Sequence, residues 1–174
     1  TDTLVFEYTV AEGDNDEDGI AFSSTSIDLN GGTITVLGAA ATLDFSGVAP
    51  DISGITVHGI IPTVAILDAP DINAANETSY TAIGSCASSG GTVVIHIGAI
   101  EITTACIGNT WTTGTVDTSS EPDNSLLLVT ADHTGAYGNV ALQVSTTVAK
   151  ETTVPTVAIT TADDITGANV TDYN

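Results

Sequence analysis

The residues best suited to chemistry in this sequence are three aspartates at alternate positions. Asp14, Asp16 and Asp18 are followed by Gly19 in a D-x-D-x-D-G pattern. Alternate carboxylates in a tight loop can converge on a hard cation, and glycine permits a sharp turn. An EF-hand loop would also need a glutamate where Thr25 stands, so an EF-hand is not expected. The pattern predicts a simpler calcium-binding loop, and a solvated acidic turn is the alternative.

Cys86 and Cys106 are the only cysteines of the chain. Lysine is almost absent, and threonine, glycine and serine are frequent, a composition that favours an oxidising, extracellular setting. We therefore predict a disulfide between Cys86 and Cys106, with two separate buried thiols as the alternative.

Two N-x-T sequons, at Asn76 and Asn169, make these asparagines candidate glycosylation sites. Sequons also arise by chance in a threonine-rich chain, so modification is one of two interpretations.

The sequence contains no pattern that indicates catalysis. The three histidines, His58, His96 and His133, are scattered. There is no nucleophile elbow, zinc-protease motif, phosphate-binding glycine loop or C-x-x-C pair. We therefore expect a protein that is not an enzyme and has no catalytic residues.

The charge of the chain restricts its partners. Lys150 is the only basic residue other than histidine, and the formal net charge is −21. Such a chain repels nucleic-acid phosphates and anionic lipid, so neither nucleic acid nor a membrane is an expected partner. No apolar run approaches the roughly 18 residues of a membrane helix. Cations and neutral glycans remain plausible, and solubility alone is the alternative role for the charge. The absence of a signal peptide and of methionine predicts a start after processing or at an internal cut.

An internal repeat divides the chain. Residues 62–80, PTVAILDAPDINAANETSY, align without gaps with residues 155–173, PTVAITTADDITGANVTDY. A repeat of this quality indicates tandem modules. It predicts an incomplete module over 1–60, a complete module over 61–154, and a segment over 155–174 that opens a further module or serves as a donor strand.

The complete module shows the pattern of an all-β protein. Alternating or β-branched runs predict seven strands with turn clusters between them. These strands are expected at 63–67, 79–86, 92–97, 100–106, 111–116, 125–130 and 141–148. Seven short strands in this length predict an immunoglobulin-like sandwich. In the first module, a strand is expected at 4–10 and a hairpin between 26–29 and 33–36 around Asn30-Gly31-Gly32.

Residues 1–34 resemble the C-terminal half of a bacterial immunoglobulin-like repeat, a family common in very large surface proteins. The resemblance rests on the strand at 4–10, the acidic loop at 13–19 and the turn at 29–32. The central module resembles a related type through its PTVAI opening, its cysteine pair followed by Trp111, and its corner at 132–139. The family implies tandem sandwiches, and calcium at module junctions near Asp68, Asp71, Asp163 and Asp164. In antibody-type domains the tryptophan lies between the cysteines, so here the disulfide need not join the two sheets.

These features predict a secreted, cell-surface structural protein, as a filament subunit or an adhesin stalk. In the preferred version the C-terminal segment, with Val157 and Ile159 foremost, adds a strand to the open first module of the next subunit. Subunits would then associate head to tail in a non-closing polymer. In the other version the segment starts the next module of a continuous array. A loop-based binding module for a glycan or host protein is the alternative function.

Overall fold

The computed structural model describes residues 5, 7–87 and 90–160, and within these ranges the chain forms strands, turns and loops without any helix. The predicted all-β class is therefore confirmed. Twelve strands occur in the described residues: β1 (Asn15–Asp16), β2 (Thr35–Val36), β3 (Ala39–Ala40), β4 (Val57–His58), β5 (Val64–Asp68), β6 (Ile72–Asn73), β7 (Ile83–Cys86), β8 (Thr92–Ile97), β9 (Ile100–Ala105), β10 (Thr110–Thr112), β11 (Asn124–Thr134) and β12 (Val144–Glu151).

Eight of these strands form two sheets that share one core. The larger sheet has the order β6-β12-β11-β8-β9, and the smaller has the order β10-β7-β5. Neighbouring strands are antiparallel, except that β6 lies parallel to β12. The core contains buried residues from both sheets, which is the arrangement of a β-sandwich.

The alternation of residues explains why these strands face as they do. In β8, Val93, Ile95 and Ile97 are fully buried, whereas His96 between them is half-buried on the outer face. Successive side chains of a strand point to opposite faces, so the three apolar residues face the core. The bounds predicted for this strand, 92–97, are the observed ones.

The strands predicted within residues 61–154 differ from the observed ones mainly in length. The strand expected at 125–130 extends to Thr134 in the structure, and the one expected at 111–116 is reduced to β10. The longer β11 pairs with both β8 and β12 at the centre of the larger sheet. β12 pairs with β11 within residues 124–131 and β8 pairs with residues 129–134, so pairing with β8 extends the strand past the apolar run that the sequence shows.

Trp111 fills the core between the strands of the smaller sheet. It lies opposite Gly84 of β7, and its indole Nε1 donates a 3.2 Å hydrogen bond to the carbonyl of Ala65 in β5. A Cβ atom at Gly84 would come within 2.3 Å of the indole ring. The glycine is therefore required because the tryptophan lies directly over the backbone of β7.

The expectations for residues 1–60 were wrong in two places. Residues 7–10 form no strand, and residues 4 and 6 of the predicted strand lie outside the described residues. The turn at 29–32 is present, with Gly32 donating to Leu29, but the residues beside it do not pair with each other. Instead, β2 pairs with β3, and Ser26 bridges to Asp44.

The turn between β2 and β3 explains the wrong register. Leu37 and Gly38 both have positive φ, 53° and 83°, as a two-residue type I′ hairpin requires. Leucine rarely adopts positive φ, so sequence reasoning favoured a hairpin at Asn30-Gly31 over one at Leu37-Gly38. Most apolar side chains of this segment, including Tyr8 and Val36, are exposed.

Candidate functional site at the two poles of the sandwich

The sandwich has two poles, at which the neighbouring chain segments attach. At the first, the entry pole, the carbonyl of Thr63, just before β5, lies 3.2 Å from Nδ1 of His133 near the end of β11. At the second, the exit pole, Lys150 of β12 lies opposite Asn124 of β11 and Ile72 of β6. Because β11 connects one pole to the other, the chain enters and leaves the sandwich at opposite ends.

Two side chains of the 135–140 loop hold the incoming segment at the entry pole. The Asn139 amide Nδ2 donates to the carbonyls of His58, at 2.6 Å, and of Ile60, at 3.0 Å. The ring of His58 stacks face to face on Tyr137, with centroids 3.4 Å apart and planes 4° from parallel. The chain from His58, the last residue of β4, to Ile60 is thus held on the sandwich by two backbone carbonyls and by the stacked ring of His58.

The acidic loop of the sequence analysis lies against this same incoming segment. The amide of Gly59 donates to the carbonyl of Asp14 at 2.6 Å, and Asp16 pairs with Val57 in the β1–β4 ribbon. A Cβ at Gly59 would lie 2.5 Å from the carbonyl of Ala11. Glycine at this position lets the acidic loop and the incoming segment approach each other closely.

The carboxylates predicted to bind calcium have other hydrogen-bond partners. Oδ2 of Asp14 accepts bonds from the Tyr8 hydroxyl at 2.6 Å and the Ala11 amide at 2.7 Å, and Oδ1 of Asp16 accepts from the Gly19 amide at 2.9 Å. The bond from Tyr8, followed by that from Ala11, lowers the pKa of Asp14. In the part of the chain that the structure describes, no three acidic, histidine or cysteine side chains form a group that could hold a metal. Calcium at Asp14, Asp16 and Asp18 stays a prediction.

At the exit pole, Asp123 holds the outgoing segment. Its Oδ1 accepts bonds from the amide and the hydroxyl of Thr152, at 3.1 and 2.9 Å, and its Oδ2 accepts from the Thr153 hydroxyl at 3.2 Å. The Thr152 hydroxyl is the main cause of a lowered pKa at Asp123, since its bond favours the ionised carboxylate. Asp123 and Asn139 therefore play the same part at opposite poles.

Lys150 of β12 lies next to Asp123 and contacts its carboxylate. Its ammonium group donates to the carbonyl of Glu121 at 2.8 Å and forms ion pairs with Glu77 at 3.5 Å and Asp123 at 3.8 Å. The residue is only 4 % exposed. Burying a charge is costly unless it is paired and hydrogen-bonded, and these three acceptors satisfy that need. Sequence reasoning missed this role, because an isolated lysine at a strand end carries no pattern.

The structure joins Cys86 to Cys106, as predicted. Cys86 ends β7 in the smaller sheet, and Cys106 directly follows β9 in the larger one. The bond therefore links the two sheets, although Trp111 follows the pair in sequence. Both cysteines and Trp111 are buried in the core.

Asn76, the first predicted glycosylation site, has a structural role. Its Oδ1 accepts a bond from the Asn73 amide at 2.7 Å, and its Nδ2 donates to the carbonyl of Asp71 at 3.0 Å. Attachment of a glycan would compete with the second bond. Asn169 lies outside the described residues, and glycosylation at both positions stays a prediction.

The histidines have separate surroundings in the structure. His58 stacks on Tyr137, His133 is buried beside Thr63, and His96 lies 3.2 Å from Glu101 on the outer face of the larger sheet. The three imidazole rings contact different residues, so they do not form a common site.

The segment after β12 leaves its apolar side chains in solvent. Val157 is 98 % exposed and Ile159 is 87 % exposed, and residues 152–160 form no strand. The same five residues, PTVAI, at 62–66 contain the start of β5, where Val64 is buried and pairs with Cys86. One sequence thus occupies two different environments in this chain.

Comparison with family models, with curated proteins and with solved structures found no match to this chain. The described residues contain no helix of the length and apolarity needed to cross a bilayer.

Proposed function

We propose that this chain is a non-enzymatic, extracellular structural protein, a segment of a cell-surface filament or adhesin stalk made of tandem immunoglobulin-like modules. The observation that carries the proposal is the second PTVAI segment. Its first copy is a core strand of a sandwich, whereas its second copy presents Val157 and Ile159 to solvent. A segment that forms a strand in its first copy and exposes alternating apolar residues in its second needs a sheet to pair with.

The sheet order supports the immunoglobulin-like part of the proposal. Two sheets of three and five strands are joined by a disulfide, and the buried Trp111 belongs to the same core cluster as the two cysteines. The first strand region is split: β5 belongs to the smaller sheet, and β6 belongs to the larger one, parallel to the last strand. Immunoglobulin-type sandwiches share this general architecture.

The second PTVAI segment has two possible uses in such an assembly. As a donor strand it would pair with the first module of another subunit, giving the head-to-tail polymer. As the start of a further module it would pair within a continuous array. The repeat extends beyond the strand to the positions of Asn76 and Tyr80.

In the first copy these two residues help to build the module. Asn76 ties the loop after β6, and Tyr80 is 1 % exposed in the core, where burial and the nearby charges of Asp68 and Asp71 raise its pKa to about 12. A donor strand would need the apolar strand residues but not these loop and core residues. Their repetition favours the array over the polymer.

The composition supports an extracellular location. A disulfide between buried cysteines is typical of an oxidising compartment. The net charge of −21 keeps a β-rich chain from associating edge to edge.

Calcium is also part of the proposal. An ion at Asp14, Asp16 and Asp18 would stiffen the loop that Gly59 contacts at the entry pole. If neither chelation nor Asp16→Ala changes the melting temperature, the loop does not bind a stabilising calcium ion.

Recognition of a glycan is the alternative function. A groove of about 460 Å³ lies beside Phe22 and Phe45, whose rings meet edge to face at 5.3 Å, and Ser24 and Asp28 also line it. Sugar binding commonly uses such a combination of rings and polar groups. Trp111 and Tyr80 are buried and therefore unsuited to this role. Oligosaccharide titrations that leave the Phe22 and Phe45 resonances unchanged would exclude this groove as the site.

Sedimentation velocity distinguishes the two uses of the C-terminal segment. The array predicts that the full chain stays monomeric over a wide concentration range, because each segment needs a module that follows it in the same chain. The polymer predicts larger species that grow with concentration and disappear when 155–174 are deleted. Polymers that require this segment would refute the array, and a monomer in both samples would refute donor-strand assembly.

A further inference from the structure

We propose that Asn30 is a site of spontaneous self-modification, at which the backbone nitrogen of Gly31 attacks the side-chain amide and converts Asn30 to aspartate and isoaspartate. The site is the exposed turn of residues 29–32. The reaction needs only water and does not depend on the role of the chain in a stalk, so this inference stands apart from the proposed function.

The sequence offers two places for this chemistry. An asparagine or aspartate precedes a glycine only at Asp18-Gly19 and at Asn30-Gly31. Because glycine has no Cβ, its backbone nitrogen can approach the preceding side chain without steric hindrance. The attack is intramolecular and closes a five-membered ring, so its two reactants are already joined. A neutral amide is also a better electrophile than the ionised carboxylate of Asp18, which favours Asn30.

The turn at 29–32 leaves both reacting groups free. Asn30 and Gly31 have positive φ, 46° and 86°, as in a type I′ turn, and both are exposed. The turn is closed by a 2.8 Å bond from the Gly32 amide to the carbonyl of Leu29. Within the described residues, neither the side-chain amide of Asn30 nor the N–H of Gly31 has a hydrogen-bond partner. Once this exposed turn opens, the backbone of Asn30 can rotate until the Gly31 nitrogen reaches Cγ.

The other pair is held in place by its surroundings. The Gly19 amide donates a 2.9 Å hydrogen bond to Oδ1 of Asp16, so its nitrogen is not free to attack. Gly19 is half-buried, and a Cβ at this position would overlap the carbonyl oxygen of Ser53. The backbone around Gly19 therefore lacks the room to rotate toward the side chain of Asp18. The structure thus favours Asn30 over Asp18 independently of their difference in electrophilicity.

The reaction balances with water as its only co-reactant. The bond from the Gly31 nitrogen to Cγ of Asn30 forms while the bond from Cγ to Nδ2 breaks, and ammonia leaves with the proton of the Gly31 amide. The product is a cyclic imide. Water then adds to one of its two carbonyls: opening at Cγ gives aspartate, and opening at the main-chain carbon gives isoaspartate. In both products a hydroxyl has replaced the NH2 group, and no oxidation or reduction occurs.

The products change the turn in two ways. Each carries an added carboxylate, which is ionised at neutral pH. Isoaspartate also inserts a methylene into the main chain, so the turn can no longer keep the geometry that brings the Gly32 amide to the carbonyl of Leu29. The sandwich core consists of residues between Val64 and Val148, and we expect the urea midpoint of the sandwich to stay unchanged.

Prolonged incubation of the full chain in mildly alkaline buffer, followed by chymotryptic mapping and mass spectrometry, tests the proposal. Residues 23–45 contain Asn30 and no other asparagine. We expect fragments from this range to gain the mass of an amide-to-acid exchange and to become substrates for isoaspartate methyltransferase. The rate in the native chain should be no more than about tenfold below that in guanidinium chloride, since opening an exposed turn costs little free energy.

Two controls separate this site from turn asparagines in general. Asn109 is also exposed with positive φ, 62°, but the β-branched Thr110 follows it. It should convert more slowly than Asn30 by at least on the order of tenfold, because the branched side chain hinders ring closure. Asn30→Gln should abolish the mass gain of residues 23–45, since glutamine would have to close a larger ring.

The proposal is overturned if residues 23–45 keep their mass in the native chain over a time in which the unfolded chain converts, because the folded turn would then block the reaction. It is equally overturned if Asn109 converts as fast as Asn30, or if the mass gain persists in Asn30→Gln.

Discussion

Replacing Trp111 with alanine should lower the free energy of unfolding by about 3–5 kcal/mol, the range for removing a large aromatic side chain from a core. The indole is 3 % exposed and lies over Gly84, where its Nε1 bonds the carbonyl of Ala65. The substitution leaves a cavity between β7 and β5 and removes the partner of a strand carbonyl. Urea denaturation followed by circular dichroism measures the effect.

A matched control for this substitution is Ile107→Ala. Ile107 belongs to the turn just before β10, and its side chain is largely exposed. Its truncation should change the free energy of unfolding by no more than about 0.5 kcal/mol, as is usual for surface positions. A similar loss in both variants would contradict the assignment of Trp111 to the centre of the core.

Removal of the disulfide should cost roughly 3 kcal/mol on the chain-entropy model, given the 20-residue separation of its cysteines. The bond also joins the two sheets, so its loss frees the end of β9 from β7. The double variant Cys86→Ala with Cys106→Ala should unfold at a lower urea concentration than the native chain. Intact mass before and after reduction establishes the bond itself.

The control for the disulfide is the reducing agent. Reductant should destabilise the native chain by about as much as the double substitution, and it should leave the double variant unchanged. Equal stability of the native chain with and without reductant would contradict a stabilising inter-sheet bond.

The strands within residues 61–154 were largely predictable because their residues alternate. In the strand at 92–97 the three residues of one face, Val93, Ile95 and Ile97, are all apolar and β-branched, and the bounds of the strand were correct. The disulfide pairing was also predictable, since composition favoured oxidation and the chain has only two cysteines.

The contacts at the poles could not be predicted. The roles of Asn139 and Asp123 depend on bonds to residues far away or in irregular segments, such as Asn139 with His58. Side-chain to backbone bonds of this kind leave no periodic signal in the sequence. The inter-sheet position of the disulfide stayed open for a related reason, because the position of Trp111 in the chain does not determine which strands the cysteines occupy.

The hairpin in residues 1–60 was wrong because local turn chemistry was given more weight than the pairing of whole segments. Asn30-Gly31 does form a turn, but the chain reverses again at Leu37-Gly38, and this second reversal is the one that pairs strands. Leu37 has positive φ, and because leucine rarely adopts this conformation, the sequence does not predict a turn there.

The central claim is that sandwiches like residues 62–154 follow one another as a stalk with opposite entry and exit poles. Small-angle X-ray scattering tests it on a chain of residues 1–154 followed by one, two or three further copies of 62–154. In this chain each Val154 precedes Pro62, as it precedes Pro155 in the native sequence. The 11 residues of β11 connect the two poles and span about 37 Å at about 3.4 Å per residue. The account predicts that each added copy lengthens the maximum dimension by a constant increment of about that size. Increments that shrink as copies are added, as in a collapsed or freely jointed chain, would contradict it.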